Sequence, residues 1–147
     1  MPFPKHRAFA GILLAALCLP ACATHEVEPA FRASVFIDDR GISIPLPPPS
    51  LIDEPQQEVE VQGEVVGLDD EASGLVVHIM DGASGAEIDV PLEDGSTSFL
   101  GTGLSIDLTD NCLELWLADD DGREGDHSYY KAVIDESGTM ISVIEGC

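Results

Sequence analysis

Between Cys112 and Ala118 leucine stands at every second position, Leu113, Leu115 and Leu117, with Glu114 and Trp116 between them. A two-residue apolar period puts the leucines on one face of an extended strand and Glu114 and Trp116 on the other. From Glu58 onward this rhythm recurs in short runs separated by Gly, Asp and Ser, and no segment sustains a 3.6-residue period. The runs are Val59–Val66, Leu75–Met80, Glu87–Val90, Ser96–Leu100, Leu104–Leu108, Cys112–Ala118, Ser128–Ile134 and Thr139–Ile144. A turn at Glu136-Ser137-Gly138 joins the last two. Gly63 reads as a bulge or a close backbone approach, and Gly101 and Gly103 as interruptions. Strands recurring every ~8–12 residues with turn signals between them predict an all-β, antiparallel β-sandwich.

The N-terminus obeys a different rule. Lys5, His6 and Arg7 precede an uncharged apolar run of 12 residues, Ala8–Leu19. As a helix that run is about 18 Å long, short of the ~30 Å hydrocarbon core of a bilayer, so it reads as an export signal. Leu19-Pro20-Ala21-Cys22 resembles a bacterial lipobox, with an aliphatic residue at −3 and a small one before the cysteine. The resemblance implies diacylglycerol on the Cys22 thiol, cleavage after residue 21 and acyl chains such as palmitate in a membrane. Pro20 departs from the usual pattern. Ordinary secretion with cleavage near Ala21 or Ala23 is the alternative. Ala23, rather than Asp, after the cysteine resembles outer-membrane sorting.

Charge limits the partners. Losing Lys5 and Arg7 with the signal leaves four cations against 28 acids, a net of −24. Such a surface repels phosphates, which argues against nucleic acid, and it holds the body away from anionic headgroups. Cys112 and Cys147 remain as two thiols in an oxidising compartment, where a disulfide is the default.

Residues 22–57 carry Pro45, Pro47, Pro48, Pro49 and Pro55, a composition that reads as an extended stand-off tether. Within it Ser34–Ile37 and Gly41–Ile44 flank Asp38-Asp39-Arg40 and admit a short hairpin. The expected organisation is thus a signal over 1–21, a lipidated tether over 22–57 and a domain over 58–147.

One stretch of that domain resembles a family. Val61-Gln62-Gly63-Glu64-Val65, then Asp94-Gly95-Ser96-Thr97-Ser98-Phe99, then Asn111-Cys112-Leu113-Glu114-Leu115-Trp116-Leu117-Ala118-Asp119 together look like a bacterial immunoglobulin-like or fibronectin-III-like module. Asp110 stands where that family usually has Gly, and Cys112 is also a departure. The resemblance implies a spacer, adhesion unit or accessory domain, and it specifies a fold better than a function.

Few residues suggest chemistry. Asp119, Asp121, Glu124 and Asp126 are candidate calcium ligands on a Gly-bent loop, although EF-hand spacing fails at Arg123. The same loop also reads as solvated, as does Asp69-Asp70-Glu71. Trp116 faces solvent, where it stacks on a sugar, anchors a protein partner or covers Tyr129 or Tyr130 across the ladder. His78 and His127 are the only histidines after Glu58. No nucleophile elbow, zinc motif or phosphate loop accompanies them. The sequence therefore predicts a membrane-anchored, non-enzymatic envelope module for a protein or glycan partner. Its alternative is a calcium-dependent binding module.

Overall fold

A computed structural model describes residues 32–68 and 72–147. The signal, Cys22, His25 and Asp69-Asp70-Glu71 lie outside the described residues. Nine strands follow in order: β1 (Ser34–Phe36), β2 (Ile42–Ser43), β3 (Gln56–Val66), β4 (Val76–Asp81), β5 (Glu87–Pro91), β6 (Ser98–Asp107), β7 (Leu113–Ala118), β8 (Ser128–Ile134) and β9 (Ile141–Glu145). No helix occurs among the described residues.

The strands form two antiparallel sheets. In the first, β3 is central. Glu64 pairs with both Phe36 of β1 and Ser98 of β6, and Val61 pairs with both Ile42 of β2 and Gly101 of β6. One residue cannot pair twice on one side, so β1 and β2 share one edge of β3 and β6 takes the other. The second sheet runs β5-β4-β7-β8-β9. The chain crosses between sheets after β3, β5 and β6, which is the crossing pattern of an immunoglobulin-like sandwich. Val59, Val61, Ile79, Ile106, Leu113, Leu115 and Leu117 are fully buried between the sheets. The leucine alternation does face inward as its period requires.

Two glycine positions settle what the sequence left open. Gly63 is a close approach: a Cβ there would collide with the Phe36 carbonyl and press on the Phe99 ring. The bulge lies elsewhere, where the β3–β6 register shifts between Val59 and Val61. Opposite that shift, Gly103 adopts φ +85°, the left-handed conformation that a glycine bulge needs. The two runs expected on either side of Gly101 and Gly103 are therefore one bulged strand, β6.

The tether expected over 22–57 is corrected from residue 32 onward. Ala33, Val35, Ile37, Ile42 and Leu51 are buried in the common core. Leu51 N–H donates to the Gly138 carbonyl at 2.9 Å. The two halves of the expected hairpin do not pair with each other; each pairs with β3. They form one edge strand interrupted by a loop, because both find a long unpaired edge on β3.

Two anchors close the far sheet. Cys112 and Cys147, 35 positions apart in sequence, form the expected disulfide, with Cα atoms 5.7 Å apart. On the chain-entropy account a loop of that size is worth about 4 kcal/mol. Asn111 is buried and acts as a strand residue would. Its side-chain oxygen accepts from Ala132 N–H at 2.8 Å, and its amide donates to the Ala132 carbonyl at 3.0 Å.

Candidate functional site: a stacked aromatic array on the outer sheet face

With the leucines of β7 turned inward, Glu114 and Trp116 emerge on the outer face of the five-stranded sheet. His78 is the cross-strand partner of Trp116. On the other side Leu115 pairs with Ser128, which places His127 opposite Trp116. Neighbouring strands lie ~4.8 Å apart, so rings rising from three adjacent strands at one level must stack. They do: the His78 and Trp116 centroids are 5.1 Å apart at 16°, and those of Trp116 and His127 are 4.9 Å apart at 1°.

Carboxylates cap both ends of the stack. His78 Nδ1 lies 2.6 Å from Asp89 Oδ1 on β5. His127 Nδ1 lies 2.6 Å from Glu114 Oε1, and its Nε2 lies 3.2 Å from Glu124 Oε2. Glu114 Oε1 also accepts from the Tyr129 hydroxyl at 2.9 Å. That hydrogen bond, with some desolvation and the nearby charge, holds the Tyr129 phenol above its ordinary range. The rings thus stand at fixed spacing, oriented by four side chains: Asp89 of β5, Glu114 of β7, Glu124 of the loop that follows β7, and Tyr129 of β8.

What the array can do follows from its surfaces. Both faces of the indole are covered by imidazoles, so Trp116 offers a sugar its edge and not a stacking plane. The expected pairing of Trp116 with Tyr129 or Tyr130 is replaced by the two histidines, since Tyr129 faces Glu114 and Tyr130 faces Leu113. Tyr130 is an inward core residue whose phenol is pushed upward by burial. A carboxylate on imidazole Nδ1 is half of a nucleophile-activating arrangement. At His127, however, Nε2 meets a second carboxylate, and no hydroxyl or thiol engages either ring among the described residues.

The candidate calcium ligands are not brought together. Asp119 accepts from the Arg123 amide at 2.9 Å, the Arg123 Nε at 2.7 Å and the Asp121 amide at 3.0 Å. Desolvation is the largest single influence and raises its carboxyl, but these donors and the guanidinium charge together outweigh it and hold it below the ordinary range. Asp121 is 80 % exposed and 3.7 Å from the same guanidinium. Glu124 turns to His127, and Asp126 accepts from the Ser34 hydroxyl at 3.3 Å. Among the described residues no three His, Cys, Asp or Glu side chains converge as a metal site. His78 and His127 were visible in sequence. What the sequence withheld was their register, which alone shows that they flank Trp116.

The fold and this face define an immunoglobulin-like β-sandwich with a rigid aromatic array on its five-stranded sheet. No family model, curated protein or solved structure matches the chain.

Proposed function

We propose that the chain is a lipid-anchored envelope protein, sorted to the outer membrane, whose sandwich is a non-catalytic interaction module. The observation that carries the reading is the aromatic array, held by hydrogen bonds on an open sheet face rather than sunk in a cleft. Pre-ordered aromatic side chains lose little entropy on docking, and Trp and Tyr dominate binding hot spots for that reason. The anchor rests on the sequence. Arg32, where the described chain begins, lies beside the Val66 end of β3, ten residues after Cys22. Ten residues reach at most ~35 Å, so a lipid on Cys22 would keep the sandwich near the membrane.

Replacing Cys22 by Ala tests the anchor. The variant is expected to move from the membrane fraction to the soluble fraction with its thermal midpoint unchanged. Retention of the variant in the membrane fraction refutes the lipid anchor.

A further inference from the structure

The pole of the sandwich opposite Arg32 carries a second surface. There the segment from Arg40 to Leu51 passes over the start of β9 and leaves a groove of about 220 Å³. Its walls are Ile44, Pro47, Leu51, Met140 and Ile141, with Arg40 at one side. Beside it Leu46, Ile52 and Met140 are 89 %, 63 % and 58 % exposed. Three large apolar side chains around one apolar groove form a patch, whereas isolated exposed leucines need no explanation. Pro45, Pro47, Pro48 and Pro49 stiffen the rim between two buried anchors, Ile42 and Leu51.

Size and charge narrow the occupant. Ligand-binding clefts run to ~300–1,000 Å³, so this groove has room for a side chain rather than for a whole small molecule. The lining itself carries one charge, that of Arg40, but the chain flanking it on every side is acidic: Asp38 and Asp39, Asp53 and Glu54, and Asp135 and Glu136, with Asp135 accepting from the Met140 amide at 3.0 Å. A second copy of this chain would bring another net −22 to the contact, which disfavours self-association. A basic segment would be attracted.

We propose that this groove binds one large aliphatic or aromatic side chain from a basic segment of a partner protein. The inference rests on the interaction-module reading and adds a site distinct from the aromatic face. It is independent of how the protein reaches the membrane.

Random dodecapeptides displayed on phage, selected against the full chain in detergent micelles, test it. The enriched peptides are expected to share one large apolar residue flanked by Lys or Arg. A synthetic peptide of that sequence should lose at least tenfold in affinity when its apolar residue becomes Ala. It should lose as much against a protein carrying Ile52→Ser and Met140→Ser, both exposed positions whose change leaves the melting temperature in place. Trp116→Ala should leave binding unchanged. Enrichment of no peptide, of peptides without basic residues, or of peptides indifferent to the groove variants overturns the proposal. Loss of binding with Trp116→Ala alone would move the docking site to the aromatic face. None of these outcomes bears on the Cys22 fractionation, so the two readings fail separately.

Discussion

Asp81 is a charged side chain with no exposed surface, and it stays because donors surround it. It accepts from Ala83 N–H at 3.2 Å, Ser84 N–H at 3.3 Å, the Ser84 hydroxyl at 2.6 Å and Cys112 N–H at 3.0 Å. The carboxylate thus ties the β4–β5 turn to the start of β7. Asp81→Ala strands those donors in a space without water, at a cost of about 2–4 kcal/mol, read as a lower urea midpoint with unchanged slope. Asp81→Asn keeps one acceptor and should fall between. Three half-buried aspartates act on pH instead. The Thr109 hydroxyl and amide hold Asp107 below the ordinary carboxylate range, and the Ser137 hydroxyl with the Met140 amide does the same for Asp135. Arg123 does so for Asp119. A carboxyl depressed in the fold stabilises wherever the unfolded carboxyl is ionised, and that contribution is lost as pH falls through the folded value. The melting temperature should therefore be flat with respect to these groups above about pH 5 and drop below about pH 4. Asp107→Asn, Asp119→Asn and Asp135→Asn together should shallow that acid slope. An unchanged slope would show that the three carboxyls are not its source.

At the scale of elements, β7 was legible and the edge strand was not. The alternation of Leu113, Leu115 and Leu117 is complete within seven residues and needs no knowledge of a partner. Val35 and Ile37 alternate too, as do Ile42 and Ile44, but their worth depends on β3, which follows beyond a proline-rich stretch that reads locally as a spacer. Proline excludes ladder donors without excluding burial of the residues around it, which is how Leu51 reaches the core. The array failed to show for a related reason. Trp116 is placed on the outer face by its own strand, yet its neighbours are fixed by the registers of β4–β7 and β7–β8. The correction has a measurable consequence. A chain beginning at Glu58, the boundary that the sequence suggests, lacks Ala33, Val35, Ile37, Ile42 and Leu51 and uncovers Val59, Val61 and Val65. Each buried large aliphatic is worth about 1.5–3 kcal/mol, and domains have only ~5–15 kcal/mol in all. That fragment should show no cooperative melting by circular dichroism, while one beginning at Arg32 should melt as the whole protein does. In the whole protein Leu51→Ala should cost about 2–5 kcal/mol. A folded fragment from 58 would return residues 32–57 to the role of a tether.

Across the whole molecule, six cations against 28 acids make self-repulsion the dominant long-range force. Shorter screening lengths weaken it, from ~10 Å at 0.1 M to ~3 Å at 1 M ionic strength, so sodium chloride should raise the melting temperature. This background conceals specific ion binding, because any divalent cation screens more strongly than sodium at equal concentration. The informative comparison is calcium against magnesium at the same ionic strength. A calcium site of ~10 μM affinity would add about 2.7 kcal/mol at 1 mM, or roughly 10 °C for a domain of this size. The carboxylates of the loop after β7 divide among three partners: Asp119 and, at 3.7 Å, Asp121 face Arg123, Glu124 faces His127 and Asp126 faces Ser34. Gathering them on one ion would mean breaking the Arg123 and His127 contacts and the tie to β1. Melting curves in the two chlorides should therefore coincide. A rise with calcium alone would mean that the loop rearranges around the ion, and calcium-dependent binding would then become the better reading.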